Sequence, residues 1–423
     1  YGRKPVLVVG VLVFLLGSSL SAAAWDMSSL IAFRALQGLG AGSIGATVNT
    51  VAGDLYDTAE RGKVQGWLSS VWGISAVTAP ALGGIFAQYA SWRWIFLVNL
   101  PIGALALFMI VRDLHEQVER RRHRIDYAGA VLLLASAGLL IFGLLQGGTA
   151  WPWVSAPSLL VFAAAVGSGV AAVGVERRAA EPVMPLVLWT RRLTAGSYAA
   201  TAVAGLLVIG LSTFLPTWAQ AVLGLGPIAA GFVLAVMSMS WPLAAGLSSQ
   251  LYLRIGFRDT AAIGGLFTVA AGTVFVLTPV DAAVWQPVLG SALMGAGLGL
   301  ITSSLIVGLQ STVGWGERGV VTGGAMFSRF LGQSIGAAVF GAITNSVLSH
   351  RLASASAEVR AALPADVDGV SEVLTGGHRT VAAETFMREA LHASTHAVFL
   401  GLLAAGAVTL IVLLAVVPRR FPS

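Results

Sequence analysis

Apolar residues in this chain come in blocks of about 20, separated by short polar turns, and not in alternation or narrow helical stripes. Residues 5–25, 130–146 and 396–417 are typical blocks. A helix rises ~1.5 Å per residue, so about 20 apolar residues cross a ~30 Å hydrocarbon core. The pattern predicts twelve spans, at about 5–24, 29–51, 65–88, 92–111, 126–147, 157–175, 194–221, 226–250, 260–279, 285–308, 320–347 and 395–417. The 51 glycines are abundant inside them, as expected where helices pack backbone to backbone in lipid.

Composition agrees with this pattern and excludes rivals. Of 423 residues, 56% are hydrophobic and 10% charged, against roughly 25% charged in soluble domains. A water-soluble globule is excluded, and the fold class is an all-α polytopic membrane protein. The absence of cysteine excludes a disulfide framework, a thiolate metal site and a cysteine nucleophile.

Net charge is +6, and the placement of the basic residues gives it meaning. With the N-terminus in the cytoplasm, eighteen of the 25 Lys and Arg fall in inner segments. Five fall outside, four of them (Arg351, Arg360, Arg379 and Arg388) in one long loop at 348–394. Long loops translocate largely regardless of charge. Both termini are therefore expected in the cytoplasm, in a multi-pass protein of the cell's inner membrane. The basic residues are a topology signal and a contact for anionic lipid heads, with no nucleic-acid partner.

A repeat divides the chain. Glu60-Arg61-Gly62-Lys63-Val64-Gln65-Gly66 aligns with Glu317-Arg318-Gly319-Val320-Val321-Thr322-Gly323 at an offset of 257 residues. At that offset Arg34–Gly40 falls on Ser291–Gly297, with Gly38 on Gly295 and Gly40 on Gly297. Near the start, at a shift of 254, Gly2, Lys4 and Gly10 fall on Gly256, Arg258 and Gly264. The elements run in the same sense, a parallel repeat of the kind built into secondary transporters, whose substrate site lies between the halves. The expected organisation is a first bundle at 1–112, an inserted two-helix hairpin with linkers at 113–192, and a second bundle at 193–423. The spans 194–221 and 226–250 have repeat mates only ahead of Tyr1, so the intact protein is expected to have fourteen spans in two six-helix bundles plus the hairpin.

These residues resemble the major facilitator superfamily, specifically its fourteen-span drug:proton antiporters. Tyr1-Gly2-Arg3-Lys4-Pro5 is similar to the end of the family's cytoplasmic loop motif, and Arg34-Ala35-Leu36-Gln37-Gly38-Leu39-Gly40-Ala41 to the motif of its fourth span. Gly66, Ser75, Ala79, Pro80, Gly83 and Gly84 follow the antiporter motif, with Ser75 and Ala79 replacing two glycines. Trp92-Arg93-Trp94-Ile95-Phe96-Leu97-Val98-Asn99-Leu100-Pro101-Ile102-Gly103 resembles the family's sixth span. The resemblance implies a proton-coupled antiporter exporting lipophilic, often cationic compounds by alternating access, working as a monomer without a cofactor. It also assigns Gly2, Arg3, Lys4, Gly38, Gly40 and the antiporter-motif residues to conformational change. The replaced glycines leave room for a nutrient symporter of the same superfamily. A non-transporting membrane enzyme or receptor is the alternative of another class.

Two charges sit inside spans, where an arginine costs roughly 2.5–3.5 kcal/mol on insertion scales. Arg34, with Gln37 on its face, either snorkels to the outer end or, as the resemblance implies, forms part of a proton path. Arg329, with Gln333 at i+4, lies nearer the middle of its span. None of the nineteen Asp and Glu lies well inside a predicted span, so no coupling acid is visible. Trp72, Phe214, Trp218, Met237, Trp241, Met294 and Phe330 belong to spans that face the cavity in that superfamily, and with Arg329 and Gln333 they are the candidate substrate residues. Aromatic faces and thioethers suit flat lipophilic cations. The six histidines form no ligand cluster, and His392 and His396 read as an interfacial helix face. No metal site and no phosphate loop or other enzyme constellation is present.

Overall fold

The computed structural model describes residues 2–116, 126–148, 150–355 and 381–419. The arginines at 120–122 and 124 and most of the 348–394 loop lie outside the described residues. The regular elements are helices: α1 (Arg3–Ala22), α2 (Met27–Leu55), α3 (Thr58–Tyr89), α4 (Trp94–Leu97), α5 (Asn99–Asp113), α6 (Tyr127–Gln146), α7 (Ala156–Glu176), α8 (Leu186–Thr190), α9 (Arg192–Ala221), α10 (Pro227–Ile255), α11 (Phe257–Val276), α12 (Trp285–Ser311), α13 (Trp315–Ala353) and α14 (Val381–Ala415). Ten segments are long and apolar enough to cross a membrane, α4 and α5 counting as one. Helices α2 and α3, of 29 and 32 residues, are long enough but richer in Gly, Ser and Thr. With them, the long helices among the described residues match the twelve predicted spans.

Local chemistry sets the helix ends. Asp26 and Ser29 close a capping box at the start of α2, and Asp126 accepts the Gly129 N–H at the start of α6. Ser155 caps α7, followed by a proline in the first turn. Gly256, at φ +88°, makes the sharp turn between α10 and α11 that a side chain would strain. The fourth predicted span, at 92–111, divides into α4 and α5 where Pro101 lacks the N–H that would reach back to Leu97.

One boundary departs from the sequence reading. Helix α13 continues to Ala353 and α14 starts at Val381, so the loop predicted over 348–394 is helical at both ends. The early part of α14 is amphipathic: Ala383, Met387, Ala390 and Leu391 are buried. On the same segment Arg388 donates from Nε to the Val222 carbonyl (2.7 Å) and from Nη2 to that of Val280 (2.9 Å). A loop-like composition thus hides a helix that extends past the apolar segment and ties down the ends of α9 and α11.

The repeat is visible in the packing. Helix α1 lies on α2 and against α5, as α11 lies on α12 and against α14. Burial is unequal, however. Helix α12 is wedged between α10 and α11, and nearly all of its residues from Gly295 onward are buried. Its mate α2 buries only seven of 29 residues. The main core belongs to the second half, where Leu207, Leu211, Leu215, Trp218, Met237, Phe275, Met294, Leu298, Phe340 and Phe399 interlock.

Helices α6 and α7 pack mainly on each other, with α6 touching α13. The two halves meet along α3 and α10. There Gly62, Gly66 and Gly73 face α10 so closely that a Cβ on Gly66 would sit 2.9 Å from the Gly246 Cα and 3.0 Å from the Pro242 carbonyl oxygen. Pro242 also deprives the Ser238 carbonyl of its helical donor, and Gly73 lies against that freed carbonyl.

Candidate functional site

A cavity of about 260 Å³ lies between the halves. Its walls are Ser69, Trp72 and Gly73 of α3, Val208, Ile209 and Ser212 of α9, Met237, Ser238 and Trp241 of α10, and Arg329 and Gln333 of α13. The Arg329 guanidinium lies 5.6 Å from the Trp72 ring centre and 5.0 Å from that of Trp241. Both are cation–π distances, and they tie the two halves together through one charge. Its Nε is buried without a hydrogen-bond partner among the described residues. Gly205 lies against the Arg329 carbonyl and Gly332 against that of Ala202, so α9 and α13 are in backbone contact at Arg329 and in the turn that follows it.

Five of the nine predicted substrate residues therefore converge here: Trp72, Met237, Trp241, Arg329 and Gln333. The other four do not line this cavity. Trp218 and Met294 are fully buried in the second-half core, with Trp218 edge-on to Phe399 and donating from Nε1 to His392 Nδ1 (3.2 Å). Phe214 meets Phe340 edge-on, and Phe330 is exposed on another face of α13. These four follow the helix face, which span membership alone does not reveal. The histidines read as an interfacial face also turn inward, since His396 Nε2 lies 2.9 Å from the Val276 carbonyl oxygen.

A second polar group sits in the first half. Arg34 Nη1 donates to Gln37 Oε1 (2.9 Å), and Gln37 Nε2 donates to Ser18 Oγ (3.1 Å). Ser18 Oγ also receives the Asn99 Nδ2 (3.0 Å) and donates to the Phe96 carbonyl (2.9 Å). The Phe96 ring stands 5.7 Å from the Arg34 guanidinium. Gln37 and Ser18 are buried, so the chain joins α1, α2, α4 and α5 through the interior. Gly17 and Gly40 permit it, because each lies against backbone of the opposing helix, whereas Gly38 faces open space.

The third group closes one end of the interface between halves. Asp54, at the end of α2, accepts from Arg3 Nε (3.1 Å) and from Arg318 Nη1 (3.0 Å). Arg318 also reaches the Gly53 carbonyl (3.1 Å), to which its repeat mate Arg61 donates as well (2.5 Å). The two repeated arginines thus converge on the electronegative C-terminus of one helix. Arg3 further donates to the Trp315 carbonyl (2.6 Å) and stacks 4.2 Å from its ring. Glu116 accepts the backbone N–H groups of Arg3 and Lys4, and it fills the space where Gly2 lacks a side chain. Nearby, Tyr252 donates to the Thr58 carbonyl and Gln310 to that of Asn49, both across the halves.

Of the remaining motif positions, Gly66 packs on α10 and Ser75 is exposed. The side chains of Ala79 and Pro80, and the surroundings of Gly83 and Gly84, lie outside what the structure describes. Sequence reading missed Ser18, Asn99, Ser69, Ser212, Ser238 and the bridging role of Asp54. Asn99 stood within a recognised motif, but its contact with Ser18 spans 81 residues and leaves no local pattern.

Comparison with known proteins accords with this architecture. The model of the Major Facilitator Superfamily matches residues 1–337. Multidrug resistance protein 3 of Bacillus subtilis (strain 168) is 33% identical over 353 residues, 83% of this chain and 69% of that protein. Multidrug transporter protein MdtP of the same organism is 30% identical over 377 residues, 89% of this chain and 69% of its own length. Efflux pump FUS6 of Gibberella moniliformis is 30% identical over 367 residues, 83% of this chain and 64% of that protein. Among solved structures, the human organic anion transporter MFSD10 (TETRAN) aligns with a TM-score of 0.60 at 13% identity, covering 97% of this chain and 77% of that one. A bacterial homolog of the human lysosomal transporter Spinster, inward-facing and unoccupied, aligns at 0.55 and 15% identity, covering 100% of this chain and 85% of its own. Both structural likenesses concern the fold alone.

Proposed function

The chain belongs to the Major Facilitator Superfamily, and from that premise we propose that it is a proton-coupled exporter of lipophilic compounds. It is a membrane transporter and not an enzyme, and its substrates are small molecules.

The observation that carries the reading is the cavity between the halves, walled by α3 on one side and by α9, α10 and α13 on the other. A site shared by two rigid bodies changes access when one rocks against the other. The Asp54 cluster is the closure of one end, and the basic residues around it support a cytoplasmic face. Breaking Arg3–Asp54–Arg318 opens that end, and the glycine-lined contact of α3 with α10 is the surface on which the halves rock. The Arg34–Gln37–Ser18–Asn99 chain of the first half is the candidate polar route for protons, serving a proton-binding group other than these four residues. The names of the multidrug and efflux relatives support the outward direction.

The test is flux of a lipophilic aromatic dye in reconstituted vesicles under an imposed pH gradient. Export against the dye gradient, abolished by a protonophore, is the expected result. Uptake of dye together with protons overturns it in favour of symport.

A further inference from the structure

We infer that the central cavity selects substrates bearing an anionic or strongly accepting group on an aromatic body, with Arg329 as its counter-charge. This deepens the transport reading and departs from the cationic preference that the resemblance implied.

The argument starts from the charge. A guanidinium within a membrane-spanning helix is unfavourable unless it is paired, and such a residue ordinarily marks a ligand or ion path. Arg329 lies on α13 between two indole rings, and no carboxylate among the described residues pairs with it. The indole faces hold the guanidinium but do not neutralise it, and its Nε has no acceptor among the described residues. A cationic ligand entering this cavity would meet like charge in a medium of low polarity, where repulsion is strong. A carboxylate, sulfonate or similar acceptor supplies the missing charge and matches the planar fork of the arginine side chain in two-point contact.

The rest of the wall defines the body of the ligand. Trp72 and Trp241 offer flat faces, Met237 an adaptable thioether, and Val208 and Ile209 aliphatic surface. Ser69, Ser212, Ser238 and Gln333 add polar groups around the charge. The volume, about 260 Å³, is just under the ~300–1,000 Å³ usual for drug-sized ligands. A bicyclic aromatic acid is therefore the ligand class that fits.

The test compares three matched probes at pH 7 on the full-length protein in detergent: 2-naphthoate, 2-naphthamide and 2-naphthylmethylammonium, with affinities from calorimetry. Naphthoate is expected to bind about tenfold or more tighter than the ammonium. Arg329→Gln should lose most of the naphthoate affinity while naphthamide changes less than about threefold, which also shows that the variant is folded. Arg329→Lys should retain charge attraction but lose the two-point contact, giving an intermediate affinity. Ammonium binding as tight as naphthoate overturns the assignment. So does unchanged naphthoate affinity in Arg329→Gln, or no naphthoate binding by the wild-type protein. Flux is measured separately with a neutral aromatic dye. Naphthoate binding without gradient-driven flux of any probe leaves the charge assignment standing and sinks the transport reading, whereas dye export without naphthoate binding does the reverse.

Discussion

At the scale of single residues, the first half depends on a buried amide. Gln37 is 4% exposed and satisfied at both ends, by Arg34 and by Ser18. Replacing it with leucine removes one of the three hydrogen bonds of Ser18 and the acceptor of the exposed Arg34, at a cost of about 0.5–1.5 kcal/mol for each bond lost. Gln37→Leu should therefore lower the thermal midpoint in detergent, while an exposed control such as Ser75→Ala leaves it unchanged. An equal midpoint for Gln37→Leu would mean that water replaces the amide. Arg34 is more exposed and less structural. Arg34→Ala should insert and fold normally yet fail to drive uphill export, and Arg34→Lys should recover part of the activity only if charge suffices without the guanidinium fork. Full export by Arg34→Ala in the vesicle assay would return this side chain to a snorkelling role.

Helices and their contacts are the next scale, and the α3–α10 interface depends on the absence of side chains. Gly66 has no room for a Cβ beside the α10 backbone, because the Gly246 Cα and the Pro242 carbonyl already occupy it. Gly66→Val forces the halves apart, and overpacking of this kind typically costs about 1–3 kcal/mol. The expected outcome is loss of transport with membrane insertion retained. A bifunctional maleimide should bridge cysteines placed at Ser69 and Ser238 in the parent but not in the Gly66→Val background. Unchanged bridging would show that α10 simply shifts. The hairpin of α6 and α7 contributes no residue to the central cavity among the described residues. Replacing 127–176 with a flexible linker should accordingly alter expression more than the substrate range.

For the whole molecule, the question is how the two halves are held. Asp54 is 11% exposed and neutralises arginines from both sides. Asp54→Asn leaves Arg3, Arg61 and Arg318 close together with less negative charge, which favours separation at that end. A shift of about tenfold to a hundredfold in the open fraction corresponds to roughly 1.4–2.8 kcal/mol of differential stability. A cysteine at Ser69 should then react faster with a membrane-impermeant maleimide in inside-out vesicles, and the chain's lack of native cysteine keeps the readout clean. No change would place the closure elsewhere. The same chemistry fixes orientation: a cysteine at Ser354, which is exposed, should label from outside intact cells. The two halves are also packed unequally. Helices α9 and α10 bury α12 and α13, while the corresponding faces of α2 and α3 expose Leu39, Trp67, Val71 and Ile74.

How much of this was legible in the chain depends on the range of the interaction. Twelve long helical segments, their approximate ends, the internal repeat and the family motifs could all be read from residues adjacent in sequence. Helix geometry and the hydrocarbon thickness act within one segment of about 20 residues, and a repeat preserves its own local pattern. Arg34 with Gln37, and Arg329 with Gln333, were visible for the same reason, being three and four residues apart on one helix face. Tertiary structure decided the rest. It set Arg329 between Trp72 and Trp241, joined Ser18 to Asn99, brought Arg3 and Arg318 to Asp54, and turned Trp218 and Met294 into the core. Those pairings connect residues tens to hundreds apart, and they depend on how each helix is rotated about its axis. Lipid and protein interior are both apolar, so hydropathy cannot set that rotation. Close packing of small residues between helices does.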